Sequence, residues 1–190
     1  MTSPSYAGIR PKARTQRNLS DGVTTFDSDL GWMAAVWRDG LLARLTFGHS
    51  SPQAAVASLA LDEDPTTAAR TMKPLIRRLQ AFASGKREDD FLDIPLDVAN
   101  MTPFQQAVIE RCRRIPVGET LSYAGLGKAA GHPGAARAVG RVMATNRFPL
   151  IVPCHRVVSA SGAIGGFSAP DGIDMKRRLL TPEQTIRHHD

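Results

Sequence analysis

Two adjacent side chains, Cys154 and His155, are the most chemically suggestive pair in the sequence. A cysteine thiol is a poor nucleophile until it ionises, and a neighbouring imidazole is a base that can take its proton near neutral pH. The pair lies in Leu150-Ile-Val-Pro-Cys-His-Arg-Val-Val158, where apolar residues lead in and two β-branched residues follow. Pro153 removes a backbone donor and holds φ just before Cys154, so a strand is expected to end there with the thiol at its mouth. Neighbours on an extended strand face opposite ways, so the two side chains can cooperate only if the backbone bends here. In isolation such a dipeptide reads as a small buried hydrophobe beside a satisfied core histidine. The rest of the chain tips the balance toward chemistry.

The 190 residues suffice for one large domain or two small ones with a real core. Hydrophobic content of 42% with 22% charged residues describes a soluble globular chain. No apolar run approaches the roughly 20 residues of a membrane span, and the N-terminus lacks the apolar core of a secretory signal. A net charge of +6 favours polyanionic partners without proving one. The two cysteines, Cys112 and Cys154, are too few for a disulfide scaffold. With scattered histidines they also make no metal site, and no cofactor is expected. The pair His188-His189 has no third ligand near it in sequence. A free thiol suits a reducing compartment, so the expected location is the cytoplasm or nucleoid.

Three segments follow from the patterning: a basic, disordered tail over 1–20, an N-terminal domain over 21–100 and a C-terminal domain over 101–190. In the N-terminal domain, Trp32 to Trp37 and Leu41 to Phe47 read as strands joined at the hairpin signal Asp39-Gly40. Ser51-Pro52 opens a short helix through about Leu61, and Asp64-Pro65 opens another. Leu75, Leu79 and Phe82 form one helical stripe, which Pro74 kinks or precedes. Phe91 to Val98 alternates, and Pro95 makes it an edge strand or an extended linker. No catalytic constellation occurs in this half.

The second half begins with Thr102-Pro103, an N-cap followed by proline. Phe104, Val108, Ile109 and Cys112 share a helical face, which places Cys112 in the core. Two short helices follow, over about 121–130 and 134–145, separated by Gly131-His-Pro-Gly134. In a basic chain this pattern suggests a helix-turn-helix, although an ordinary helical hairpin has the same signature. The second helix, with Ala136, Arg137 and Gly140, is rich in small residues. It can approach another helix closely, or a DNA minor groove only about 6 Å wide. Asn146 is a candidate cap after it. A strand carrying Cys154, a glycine-rich loop over 163–168 and a basic helix from Ile173 to Leu180 complete the chain, with Pro182-Glu183 at the helix end.

Pro153-Cys-His-Arg-Val157, preceded by Ala136-Arg-Ala-Val-Gly140 and Asn146, resembles the O6-alkylguanine-DNA alkyltransferase family. The resemblance extends over about 102–183 and takes in Phe104-Gln105, Pro116-Val-Gly-Glu-Thr-Leu-Ser-Tyr123, Gly166-Phe-Ser168 and Lys176-Arg-Arg-Leu-Leu180. It implies an α+β fold. A ribonuclease-H-like α/β domain would precede a mainly helical, winged-helix-like domain with a helix-turn-helix. It also implies a monomer that binds duplex DNA containing O6-alkylguanine, with O4-alkylthymine as a further candidate lesion, through the minor groove, flips the damaged base out, and moves its alkyl group irreversibly to Cys154.

The same resemblance assigns roles to residues. His155 would deprotonate Cys154 through a water, Glu183 would orient His155, and Asn146 would brace the segment that carries them. Tyr123 would donate to the guanine ring as negative charge develops there, and Ser168 would bond the O6 oxygen. Val157 would offer a backbone contact to the base edge and Met143 an apolar wall. Arg137 would fill the gap left by the flipped nucleotide, with Ala136 and Gly140 allowing close approach. Gln105 and Tyr123 would contact phosphates.

Two departures from the family pattern stand out. Phe167 replaces the usual tyrosine, and the segment 169–172 is about two residues longer. Three rivals compete with this reading. One is an alkyltransferase-like binder, whose members lack the reactive cysteine. Another is a cysteine hydrolase, and the third is a helix-turn-helix regulator.

Overall fold

In the computed structural model, residues 22–60, 72–86 and 88–186 are described. The basic tail, the helix expected from Asp64-Pro65 and the terminal His188-His189 pair lie outside them. Strand β1 (Gly22–Phe26), β2 (Trp32–Arg38) and β3 (Leu41–His49) form an antiparallel sheet in that order. Asp39 and Gly40 turn the β2–β3 hairpin with φ of 50° and 79°, the paired left-handed geometry that Asp-Gly favours.

The run from Trp32 to Trp37 is apolar throughout because both faces of this sheet are covered. Met33, Ala35 and Trp37 face the main core, whereas Ala34 and Val36 face a second cluster with Ala55 and Leu59. Ala55 and Leu59 come from helix α1 (Pro52–Ser58) and its C-cap, with Ser51 capping the start through the Ala54 amide. Helix α2 (Lys73–Ala83) carries Pro74 in its first turn, so the proline marks a beginning and introduces no kink. Residues 91–98 form a linker and no full edge strand. They touch β3 through a single bridge, in which the Leu42 amide donates to the Pro95 carbonyl and the Asp97 amide to that of Leu42. Arg78 ties the linker to α2 by pairing with Asp89 and Asp93.

Helix α3 (Pro103–Arg113) opens with a capping box of Thr102 and Gln105, and Cys112 is fully buried on its inner face. The first helix of the expected pair begins later than its sequence suggests. Leu121–Ser122 form a short strand, β4, and Ser122 then caps α4 (Tyr123–Ala129). Helix α5 (Ala136–Ala144) follows a turn that packs tightly on Gly127. A Cβ added there would lie 3.1 Å from the His132 carbonyl oxygen and 3.4 Å from Val139. Strand β5 (Val157–Val158) pairs parallel to β4.

The last helix, α6 (Gly172–Ile186), runs through Pro182. Glu183 therefore lies inside the helix, beyond the end expected from the sequence. One core joins the two halves: Phe47 and Leu45 of β3 share it with Met143, Ile151 and Met175. The Leu45 amide also donates to the Arg147 carbonyl, which fastens the sheet to the segment leading into Cys154. Among the described residues, no helix is long and apolar enough to cross a membrane.

Candidate active site

Residues 150–153 do not form the expected strand. Leu150 adopts φ of +71°, and Pro153 (φ −77°, ψ 66°) centres an inverse γ-turn in which the Cys154 amide donates to the Val152 carbonyl at 2.7 Å. A single 3-10 turn, Cys154–Arg156, follows directly. The backbone thus bends where cooperation between Cys154 and His155 demands it.

The bend is held by a side chain where a strand would use a ladder. Asn146 donates from Nδ2 to the Val152 carbonyl at 2.9 Å and accepts from the Phe148 amide at 3.0 Å. It does follow the C-cap Thr145 of α5, at the position expected for a capping asparagine, but without the positive φ of a left-handed cap. Asn146 also acts on the Cys154 thiol, lowering its pKa against the effect of burial.

Cys154 is 6% exposed and His155 fully buried. Burial raises the Cys154 thiol above its ordinary range, and Asn146 and the Lys176 charge pull the other way. Burial also lowers His155, opposed by Glu183. At neutral pH the resting pair is therefore a thiol beside a neutral imidazole. His155 Nε2 lies 3.2 Å from Glu183 Oε1, while Nδ1 is buried with no hydrogen bond to a protein atom. A carboxylate at Nε2 favours the tautomer that carries its proton there, which leaves the Nδ1 lone pair open as an acceptor.

Arg156 and Lys176 belong to this cluster and had no role in the sequence reading. Arg156 donates to both Glu183 oxygens, from Nε at 2.9 Å and Nη2 at 2.8 Å, and from Nη1 to the Ile115 carbonyl at 2.7 Å. Burial alone would raise the Glu183 carboxyl, but the bonds from His155 and Arg156 outweigh it and hold it at about 2. Lys176 donates to the Val157 carbonyl at 2.6 Å, and burial lowers its pKa. Both cations left a trace in the sequence. Arg156 interrupts the most apolar stretch of the chain, and Lys176 and Glu183 share a helix face with Leu179 and Leu180. A charge at such positions must find a partner.

Cys154 opens on a cavity of about 380 Å³ that is also lined by Tyr123, Gly140, Met143, Phe167 and Ser168. That volume lies in the range of small-molecule sites, about 300–1,000 Å³. The fold thus brings together six residues that the sequence singled out separately. Burial, reinforced by Cys154, raises the Tyr123 pKa, so its hydroxyl keeps its proton and can donate. Gly140 lies beside the Tyr123 ring, where an added Cβ would stand at ordinary contact distance, 4.0 Å.

Arg137 is exposed on α5, one turn before Gly140 on the same face, and Ala136 is partly buried beside it. Two residues stand apart from the cavity. Val157 is fully buried, with its carbonyl engaged by Lys176. Gln105 is held in the capping box, its Oε1 accepting from the Thr102 amide at 2.8 Å.

Residues 103–185 match the family described as the 6-O-methylguanine DNA methyltransferase, DNA binding domain. A methylated-DNA–protein-cysteine methyltransferase of Mycolicibacterium paratuberculosis is 34% identical over 160 residues, which cover 84% of this chain and 90% of that protein. The DNA base-flipping protein of Thermus thermophilus is 41% identical over 97 residues, 51% of this chain and 64% of its own. The crystal structure of Mycobacterium tuberculosis OGT in complex with DNA superposes with a TM-score of 0.71 at 34% identity, covering 86% of this chain and 92% of that one.

Proposed function

The chain belongs to the methylated-DNA–protein-cysteine methyltransferase family, and on that premise we propose that it repairs duplex DNA by moving the alkyl group of O6-alkylguanine onto Cys154, once per molecule. The observation that carries this reading is the junction of a buried thiol, a base whose open nitrogen is inside the protein, and a base-sized cavity with a protonated tyrosine on its wall. A flipped guanine in that cavity would present its O6-alkyl carbon to the sulfur. His155 Nδ1 takes the thiol proton through a water, and the sulfur displaces the guanine in line. The electron pair passes to the base, where Tyr123 and Ser168 meet the developing charge. Glu183 holds His155 in the useful tautomer, and Asn146 holds the bend.

The helices α4 and α5 and their turn fit a helix-turn-helix that meets DNA with α5, and the β4–β5 pair fits a winged-helix-like elaboration. The three-stranded sheet with α1 and α2 fits a ribonuclease-H-like N-terminal domain over 21–100. The likeness to a base-flipping protein as well as to methyltransferases leaves the choice between binding and transfer to the site. There the thiol favours transfer. Intact-protein mass after incubation with an O6-methylguanine duplex tests this directly. One methylene gained per molecule, stopping at one equivalent, is expected. Tight lesion binding without mass gain would refute transfer.

The pKa directions give a second test. With a thiol held high and a neutral His155 beside it, transfer should depend weakly on pH between about 7 and 9, because the imidazole removes the proton. His155→Gln should be about 100-fold slower at neutral pH and should recover as pH rises and the thiol ionises unaided. A pH-independent defect would contradict the role of His155 as base.

Arg137 supplies a third test. Unstacking a base costs a few kcal/mol, and a side chain inserted in the gap offsets part of it. Arg137→Ala should slow transfer from duplex DNA by about tenfold or more and leave the reaction with the free alkylated base unchanged. Equal losses on both substrates would remove Arg137 from flipping.

A further inference from the structure

Cys154 also opens on a second cavity, of about 700 Å³, which shares Ala144, Cys154, Phe167 and Ser168 with the first. A methyl group has no use for that space. Its outer wall comes from the N-terminal half, where Arg44, Thr46 and His49 lie on β3 and Ser58 ends α1. His49 Nε2 lies 2.6 Å from Thr46 Oγ1 and 3.2 Å from Ser58 Oγ, so the three polar groups form one connected patch. Arg44 donates to the Leu59 carbonyl at 2.6 Å, and Arg147, whose own carbonyl pairs with the neighbouring β3 residue Leu45, donates to the Asp97 carbonyl at 3.1 Å. Both arginines therefore spend their bonds on neutral acceptors. Among the described residues lining the cavity there is no carboxylate to offset their charge. A concave site lined by two arginines and no carboxylate attracts an anion.

The geometry of displacement says where such an anion would come from. The sulfur attacks on the side of the alkyl carbon opposite O6, so any substituent on that carbon projects sideways from the line of attack. With the base in the smaller cavity and the sulfur at the junction, the larger cavity is the space left for it. We propose that the Arg44–Arg147 cavity selects O6-alkyl groups that end in an anion, with carboxymethyl as the smallest case. This rests on the alkyl-transfer reading and specifies its substrate class. The thiolate bonds to the methylene carbon, the carbon–O6 bond breaks with its electron pair going to guanine, guanine takes a proton, and Cys154 is left as S-carboxymethylcysteine.

Single-turnover transfer by the full chain should be compared on duplexes carrying O6-methyl-, O6-carboxymethyl- or O6-carbamoylmethylguanine, the last a neutral isostere of the second. Carboxymethyl is expected to react about tenfold faster than carbamoylmethyl. Arg44→Gln should erase that preference while leaving methyl transfer unchanged. Arg147→Gln, the other arginine of the cavity, provides the same test should Arg44→Gln fold poorly. A carboxymethyl group slower than its neutral isostere, or a preference intact in both variants, would overturn the proposal. Were the arginines instead phosphate contacts, all three substrates would slow alike, which also overturns it. A wild-type protein that transfers no methyl group would fail differently, removing the alkyl-transfer reading and this inference with it.

Discussion

Cys154→Ser is expected to bind duplex DNA nearly as the wild type does and to gain no mass from an O6-methylguanine duplex. The hydroxyl is close in size to the thiol, and Asn146 holds the bend through the Val152 carbonyl, so the bend, the cavity and α5 should persist. Binding should stay within about threefold, or ~0.7 kcal/mol, because affinity for duplex DNA comes mainly from phosphate contacts that this side chain does not make. Transfer should disappear, because serine is a hard, far less acidic nucleophile and the neutral His155 is too weak a base to ionise it. The measurement is intact mass paired with a DNA-binding titration. A serine variant that still becomes alkylated would move the acceptor elsewhere. A variant that no longer binds would mean Cys154 is structural.

The second large effect is expected at Glu183. Its carboxylate is 5% exposed and serves Arg156 and His155 together. Removing one partner of a buried ion pair strands the other, at a cost of about 3–5 kcal/mol. Linkage gives a similar size. A carboxyl held at about 2 in the folded chain, against 4.5 when free, contributes on the order of 3 kcal/mol. The sign follows from the depression. This contribution is fully present above the unfolded value near 4.5 and is lost as pH falls through about 2.

Glu183→Ala should therefore lower the melting temperature by on the order of 10 °C and slow transfer as well. The double variant Glu183→Leu with Arg156→Met separates the two effects. It removes the stranded charge, so stability should largely return. His155 still lacks its partner, so transfer should not. Recovery of both would reduce Glu183 to a purely structural ion-pair partner.

Much of the site was legible in the chain because it is written locally. A cysteine beside a histidine, a proline ahead of them, an arginine on a helix of small residues and a tyrosine at a helix start are each read within a few positions. The Thr102 cap and the Asp39-Gly40 hairpin are equally local, since a side chain bonds its own neighbouring backbone or a turn needs a particular φ.

What the residues alone misjudged was the conformation of 150–153. An apolar, β-branched run reads as a strand. A strand, however, needs a partner for its backbone, and here Asn146 supplies those hydrogen bonds from a side chain. The extent of α6 was also underestimated, because the packing of Glu183 against the 3-10 turn carries the helix past Pro182.

By itself, the sequence determined which groups are available for chemistry and which short elements carry them. The tertiary structure alone decided how they meet. The pairing of Arg156 with Glu183, the approach of Lys176 to the Val157 carbonyl and the facing of β3 toward Cys154 join residues 19 to more than 100 positions apart. No periodicity encodes such distances. They arise because one core, shared by both halves of the chain, buries these charges and obliges each to find a partner inside the protein.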